Sequence, residues 1–175
     1  MLVPAISGNA RAALMEHPIM RKAKGESSHG WLDFWVLYRT TVFLIELKHA
    51  WNAIATETVR ERTQEQWRQA EEQLMGIKKD EVAGLAGDST AVKVAMMVVP
   101  FFKSSTDQNK LKEFVLSTEE AKKGLNDLLS GLSPKPNWSC LWHLPQRFQE
   151  PELYSEGHYE IYPCLALVVR AKNVQ

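Results

Sequence analysis

The stretch WLDFWVLYRTTVFLIELK, residues 31–48, decides the fold class of this chain. Two runs rich in aromatic and β-branched residues, Trp31 to Tyr38 and Thr41 to His49, flank the pair Arg39-Thr40. Such residues favour strands, and a two-residue connection between strands favours an antiparallel hairpin. The connection lacks the Asn-Gly or Asp-Gly pair that would define its turn type. Our hypothesis for the register is that residues 38 and 41 pair, so that paired positions sum to 79.

Three charged residues interrupt these apolar strands: Asp33, Glu46 and Lys48. Burying an unpaired charge is costly, so charges within apolar strands need a physical reason. Side chains alternate along a strand, which places Glu46 and Lys48 on the same face. In the register above, Asp33 lies directly opposite Glu46, with the two β-carbons about 4.5–5.5 Å apart. The hairpin therefore predicts a patch of two carboxylates and one ammonium.

Two facing carboxylates repel each other unless a cation or a proton lies between them. Hard oxygen ligands suit Mg²⁺, Mn²⁺ or Ca²⁺, so a divalent metal bound by Asp33 and Glu46 would remove the repulsion. Lys48 could then orient a water molecule or stabilise charge that develops on a phosphate. The alternative is a set of ordinary ion pairs, Asp33–Lys48 and Glu46–Lys48, at a strand end without a metal.

The rest of the chain alternates between helical and strand patterns. The spacing of apolar residues predicts helices over 8–24 (interrupted at Pro18), from about 56 to 79, and over 107–132 with a fresh start near Ser117-Thr118. Strands are predicted over the near-continuous apolar run 91–102 and over 138–143 and 161–171. This order predicts an α/β domain with a central mixed sheet flanked by helices.

Composition excludes several classes of protein. A chain of 175 residues, 45% hydrophobic and 24% charged, is typical of a single globular domain, here residues 1–175. With 21 basic and 21 acidic residues the net charge is zero, which excludes a uniformly basic nucleic-acid-binding surface but allows a local basic patch. The apolar run from Val94 to Phe102 is too short to span a bilayer, and the first residues lack the apolar segment of a secretory signal. We expect a cytoplasmic protein without a membrane partner.

The hairpin residues resemble those of the PD-(D/E)XK nuclease superfamily, which has the restriction-endonuclease-like fold. The pattern of that family is an Asp on one strand and Glu-x-Lys on the next, followed by a helix. Gly30-x-x-Asp33 and Glu46-Leu47-Lys48 match the two halves, although Leu32 stands where the family pattern has Pro.

The helix after the hairpin adds to the resemblance. In virus-type replication–repair nucleases and RecB-like nucleases this helix carries a Gln shortly before an aromatic residue. Gln64 looks like that element, because it lies three residues before Trp67 and so on roughly the same helix face. Gln66 is the competing assignment.

The resemblance implies a nuclease-like core (helix, β-hairpin, helix, strand) over about 8–102 and an extension of one helix and two strands over about 103–175. It implies an endonuclease that uses Mg²⁺ or Mn²⁺ to hydrolyse phosphodiester bonds of nucleic acid, with DNA as the expected substrate. In this interpretation Asp33 and Glu46 bind the metal, Lys48 assists the attacking water or the phosphate, and Gln64 positions water or backbone. A further acidic residue, which many members place on the first helix, would be Glu16 or Glu26.

Other interpretations stay open. One is a catalytically inactive binding or assembly module of the same fold, and another is an interaction protein of unrelated α/β fold.

Cys140-x-x-His143, with His158 and Cys164, has the residue types of a zinc site. On a strand, however, Cys140 and His143 face opposite sides, which favours buried structural cysteines. Cleavage of both strands of a duplex would be simplest for a two-fold homodimer, with the residues after Ser133 supplying either that contact or a substrate clamp.

Overall fold

The structure, a computed structural model, describes residues 10–23, 26–54, 56 and 58–174. In this part of the chain eight strands form one mixed, mostly antiparallel sheet. The strands are β1 (Ala10–Ala23), β2 (Glu26–Tyr38), β3 (Thr41–His49), β4 (Asn52–Ala53), β5 (Thr90–Ser105), β6 (Trp138–His143), β7 (Glu152–Ser155) and β8 (His158–Val174). The helices are α1 (Glu61–Met75), α2 (Lys79–Ala86), α3 (Gln108–Lys112) and α4 (Thr118–Gly131). Neighbouring strands follow the order β1-β2-β3-β5-β8-β6, with β4 beside β5 and β7 beside β8.

Strands β2 and β3 form the expected hairpin in the expected register. Tyr38 pairs with Thr41 and Phe34 pairs with Ile45, so paired positions sum to 79. The turn is accommodated by Arg39, whose φ of 56° lies in the left-handed region. An L-residue adopts this conformation at a cost of about 1–2 kcal/mol, which glycine at this position would avoid.

The expectation of a first helix over residues 8–24 is wrong. Residues Ala10–Ala23 form strand β1, which pairs antiparallel with β2, while residues 8, 9 and 24 lie outside the described residues. Ala, Leu, Met and Arg favour helices, but this preference is weak and tertiary contacts override it. Pairing with β2 buries Ala13 and Ile19, which are 4% and 2% exposed. The hairpin is therefore part of a three-stranded antiparallel meander, and the described chain begins with a strand.

The second expected helix forms over a shorter range than the apolar spacing indicated. Helix α1 begins at Glu61, and a short break after Met75 separates it from α2. The start of α1 is held by a polar side chain from β4, because Asn52 Oδ1 accepts a hydrogen bond from the Arg60 amide at 3.3 Å. Hydrogen bonds of this kind satisfy amides that have no partner within the helix.

The helix start near Ser117 is confirmed. Ser117 and Glu120 form a reciprocal capping box at the beginning of α4. The hydrogen bonds that Ser117 donates lower the pKa of the Glu120 carboxyl. Helix α3 occupies the earlier part of the same predicted helical region.

Strand β5 contains the predicted run 91–102 and lies beside β3. Its direction follows from two backbone hydrogen bonds, from the Thr90 amide to the Thr40 carbonyl at 3.0 Å and from the Ala50 amide to the Val98 carbonyl at 3.1 Å. Residue numbers increase in the same direction along both strands between these bonds, so β3 and β5 are parallel. The expected strands at 138–143 and 161–171 are confirmed as β6 and part of β8, whereas the short strand β7 was not expected.

The described residues fall into two compact units. The first unit takes its residues from 1–48, 67–96 and 169–175, and the second unit from 49–66 and 97–168. The interior of the first unit contains Leu32, Leu44, Trp67 and Leu74, each no more than 1% exposed. The interior of the second unit contains Phe101, Leu111, Leu128, Leu132 and Ile161, each no more than 2% exposed. No helix in the described residues is both long and apolar enough to span a bilayer.

Two helical glycines should respond to alanine with opposite signs. A β-carbon at Gly131 would overlap the Val59 side chain, whereas one at Gly84, in α2, has no neighbour within 4 Å. We expect Gly131→Ala to lower the free energy of unfolding by about 1–3 kcal/mol through overpacking. Gly84→Ala should raise it by about 0.5–1 kcal/mol, because alanine loses less backbone entropy in a helix. Urea denaturation of both variants tests the pair, and equal shifts would contradict the packing at Val59.

Candidate functional site

Asp33, Glu46 and Lys48 all belong to the first unit. The backbone pairing of β2 with β3 ends at Phe34 and Ile45, and one further row in the same register would put Asp33 opposite Glu46. In β3 the buried positions alternate, and Glu46 continues the series of Val42 and Leu44 on one face. Lys48 lies two residues further on, and so on that face.

A side-chain hydrogen bond joins β2 to β3 at this row. The backbone ladder runs from Tyr38 and Thr41 to Phe34 and Ile45. Beyond it, Oδ2 of Asp33 accepts a hydrogen bond from the Leu47 amide at 2.7 Å. A hydrogen bond to a charged acceptor is short and comparatively strong. The Asp33 carboxylate is therefore held against β3.

Glu46 is a buried carboxylate with a lysine partner. It is 2% exposed, and Nζ of Lys48 lies 2.6 Å from its Oε1. Burying a carboxylate without compensation is costly, and the ammonium of Lys48 supplies that compensation. Asp33 adds a second negative charge in the same row, so two carboxylates face one ammonium. Asp33, Glu46 and Lys48 by themselves carry a formal charge of −1.

The pairing of β1 with β2 also distinguishes between Glu16 and Glu26, the two candidates for the further acidic residue of the site. Met15 pairs with Phe34 and His17 with Leu32, so Glu16 lies opposite Asp33 in the neighbouring strand. Glu16 is exposed and its φ of 51° lies in the left-handed region. Glu26 lies seven residues from Asp33 along β2, about 23 Å away at 3.3 Å per residue. The register favours Glu16, a position that the helix expected over 8–24 concealed.

The two carboxylates suit a hard divalent cation that takes only a few of its ligands from the protein. Among the described residues, no group of three or more His, Cys, Asp or Glu side chains is arranged to hold a metal ion. The expected site supplies two carboxylates, Asp33 and Glu46. Mg²⁺ is commonly bound through one or two carboxylates, with waters and substrate phosphates completing its shell. Asp33 and Glu46 would hold such an ion, and Lys48, which is cationic, would not be a ligand.

Gln64 lies on α1, three residues before the fully buried Trp67, as its assignment requires. It belongs to the second unit, whereas Asp33 and Glu46 belong to the first. Gln64 and Gln66 are both half-buried, so exposure does not separate the two assignments. A role for Gln64 beside the carboxylates stays a prediction.

The cysteines do not form the zinc site that their residue types allowed. The described residues hold no zinc-type group of three or more ligands, which includes the combination with His143 and His158. Cys164 is 1% exposed, and burial raises the pKa of its thiol to about 11. Cys140 is half-buried.

We expect the two thiols of the native protein to react at very different rates. At pH 8 a thiol of pKa about 11 is ionised in about one molecule in 1,000, and the thiolate is the reactive species. Titration with a chromogenic disulfide reagent should therefore label Cys140 in the folded protein and Cys164 only after unfolding. The Cys140→Ser variant is the control. Rapid labelling of that variant in its native state would show that Cys164 is accessible.

The second unit contains a cavity that the sequence did not predict. Its volume is about 460 Å³, and it is lined by residues from the segment between β3 and β4, the start of α1, β5, β7 and β8. Arg60 and Arg62 lie in a stretch of alternating basic and acidic residues, a pattern typical of a solvated helix face. Tyr154, Glu160 and Tyr162 lie about ninety residues further along the chain, so no local pattern links them to the arginines.

The function therefore has to be argued from these geometries. The hairpin carries a residue pattern that resembles a nuclease family, and the fold places its three charged residues together. Comparison of the whole chain with protein-family models, with curated proteins and with solved structures finds no match.

Proposed function

We propose that this chain is a divalent-metal-dependent nuclease that hydrolyses phosphodiester bonds of nucleic acid, with DNA as the expected substrate. The observation that carries the proposal is the hydrogen bond from the Leu47 amide to the Asp33 carboxylate, which brings Asp33 to the segment of β3 that carries Glu46 and its partner Lys48. A short motif can match by chance and leave its residues far apart. Here the three charged residues lie within one short stretch of the hairpin, and one of the two carboxylates is buried.

The chain's own residues have distinct roles in this reaction. Asp33 is positioned in advance, because the Leu47 amide holds its carboxylate. Glu46 is buried, and a low local dielectric strengthens its attraction for a cation. Lys48 carries three N–H donors, which can bind a phosphate oxygen or orient the attacking water. A metal ion bound here supplies Lewis-acid stabilisation of the phosphate and lowers the pKa of a coordinated water.

A second candidate function is an inactive binding or assembly module of the same fold. The observation that favours it is the 2.6 Å contact between Lys48 and Glu46, because a lysine that neutralises a buried carboxylate removes the need for a metal. The two candidates differ in whether a divalent cation binds to the carboxylates.

Thermal denaturation with and without Mn²⁺, together with a plasmid-nicking assay, tests the proposal. A cation that binds only the folded state stabilises it by about 2.7 kcal/mol at a concentration 100 times its Kd. We expect Mn²⁺ and Mg²⁺ to raise the melting temperature and to support nicking, and EDTA to remove both effects. If Mn²⁺ neither stabilises the protein nor supports nicking, the second candidate function, the inactive binding module, is the better interpretation.

The homodimer expected for cleavage of both strands stays a prediction. Two tryptophans of β6, Trp138 and Trp142, are 53% and 66% exposed and lie after Ser133, where that contact was expected. Sedimentation of the protein, free and on a duplex, tests it. A monomer under both conditions would contradict the dimer.

A further inference from the structure

The cavity of the second unit has the size of a small-molecule site. Its volume is about 460 Å³, within the range of about 300–1,000 Å³ that is usual for ligand pockets. Its lining combines two arginines, several aromatic rings and a carboxylate: Arg60, Arg62, Trp51, Tyr154, Tyr162 and Glu160. Arginines attract an anionic group, aromatic rings stack on a planar ring, and a carboxylate accepts hydrogen bonds. The lining therefore indicates a ligand that has an anionic group, a planar ring and a hydrogen-bond donor.

The arginines are attached to a well-anchored helix start. The Arg60 amide donates to Asn52 Oδ1 at 3.3 Å, and Asn52 is 1% exposed. The Thr63 hydroxyl donates to the Trp51 carbonyl at 3.0 Å. The Arg60 guanidinium lies 5.4 Å from the centre of the Phe102 ring. Guanidinium groups bind phosphate through paired N–H donors, so this side of the cavity suits a phosphate.

The carboxylate of Glu160 supplies a buried acceptor. Glu160 is 8% exposed, and its Oε2 accepts a hydrogen bond from the Tyr162 hydroxyl at 2.7 Å. Burial and this carboxylate raise the pKa of Tyr162, so the hydroxyl keeps its proton and remains a donor. A carboxylate accepts hydrogen bonds from exocyclic amino groups such as N4 of cytosine. Thymine has no amino group, and its N3–H lies between two carbonyl oxygens that repel a carboxylate.

The aromatic residues supply surfaces for a planar ring. Trp51 is 39% exposed and Tyr154 is 72% exposed. The His49 ring meets Trp51 edge-on, with the two ring centres 4.1 Å apart, which restrains the indole. Nucleobases of every type stack on aromatic side chains, because each base has a flat π-face.

We propose that this cavity binds one unpaired nucleotide, with its phosphate at Arg60 and Arg62, its base against Trp51 and Tyr154, and the amino edge of the base at Glu160. The inference rests on the proposed nuclease function and narrows its substrate class to nucleic acid with at least one unpaired nucleotide. It also assigns a preference for cytosine, adenine and guanine over thymine.

Calorimetric titration of the full chain with mononucleotides in EDTA tests this proposal without any cleavage or metal. We expect dCMP, dAMP and dGMP to bind at least about fivefold more tightly than dTMP, a difference of about 1 kcal/mol. Inorganic phosphate should bind more weakly than all four, because it gains nothing from the aromatic rings.

Variants assign each part of the ligand to its residues. Glu160→Gln should remove the discrimination against dTMP, since an amide can donate to the thymine carbonyl. Arg62→Ala should weaken all four nucleotides and phosphate alike by about fivefold, a loss of about 1 kcal/mol. Tyr154→Ala, at a largely exposed side chain, should weaken nucleotides but not phosphate. Glu119→Gln, an exposed carboxylate in the same unit, should change nothing.

Several results would overturn the nucleotide site. These are no saturable binding of any nucleotide, equal binding of dTMP and dCMP, or equal binding of phosphate and nucleotides. Unchanged affinities in Tyr154→Ala would also overturn it, even if Glu160→Gln fails to fold. Cleavage without nucleotide binding would remove this site and leave the nuclease proposal, whereas nucleotide binding without cleavage or metal binding would remove the nuclease proposal alone.

Discussion

Asp33→Asn and Glu46→Gln are each expected to abolish metal-dependent cleavage while the protein remains folded. Each change removes one of the two carboxylates that would hold the cation. Residues that only support a metal ligand already change affinity or activity by about 10–100-fold, so loss of a ligand should exceed about 100-fold. The melting temperature should no longer rise with Mn²⁺. Plasmid nicking and thermal denaturation measure the two effects on the same samples.

The fold of these two variants can be judged in EDTA. The side-chain amide introduced by Asp33→Asn keeps an oxygen that can accept the Leu47 amide, so this variant should melt no lower than the wild type. Neutralising one of two neighbouring carboxylates also relieves their repulsion in the absence of metal. Asp33→Ala lacks any acceptor and should lose about 1–3 kcal/mol, because the Leu47 amide loses its partner. A wild-type response of Asp33→Asn to Mn²⁺ would contradict the metal site.

Lys48→Ala is expected to destabilise the metal-free protein, and Mn²⁺ should restore much of the loss. Removing one partner of a buried ion pair costs about 3–5 kcal/mol, because the remaining charge is left uncompensated. The expected loss is about 3 kcal/mol, at the low end of that range, because the Lys48 side chain is 18% exposed. A divalent cation beside Glu46 would replace the missing ammonium. Turnover should remain very low, since the proposed role of the lysine is to act on water or phosphate.

The matched control is Lys122→Ala. Lys122 pairs with Glu119 at 3.1 Å, but both side chains are more than half exposed, so its loss should cost less than about 1 kcal/mol. Urea denaturation in EDTA and in Mn²⁺ compares the two variants. If Lys48→Ala is destabilised and Mn²⁺ restores nothing, the patch is a structural ion pair and the inactive module is the better interpretation.

The hairpin and its charged row could be predicted because their causes are local. Aromatic and β-branched runs separated by two residues favour one register, and strand alternation then assigns Asp33 and Glu46 to the same row. The start of α4 could be predicted for the same reason, since Ser117 and Glu120 stabilise it through contacts between residues three positions apart. In such cases the interacting groups lie within one turn or one hairpin.

The first strand shows where local reasoning fails. Residues Ala10–Ala23 have the composition of a helix, yet they pair along the whole of β2. The free energy of that pairing and of burying Ile19 comes from a partner that local propensity does not include. The same error hid Glu16, which lies opposite Asp33 only once β1 is a strand.

By itself, the sequence determined the hairpin register, the face shared by Glu46 and Lys48, and the start of α4. Tertiary structure alone decided that Glu46 is buried, that Asp33 binds the Leu47 amide, and that a cavity joins Arg60 to Glu160 across a hundred residues of chain. The physical reason is the range of the interactions. Propensity, alternation and capping act between neighbours in the chain, whereas burial and cavities depend on which distant segments pack together.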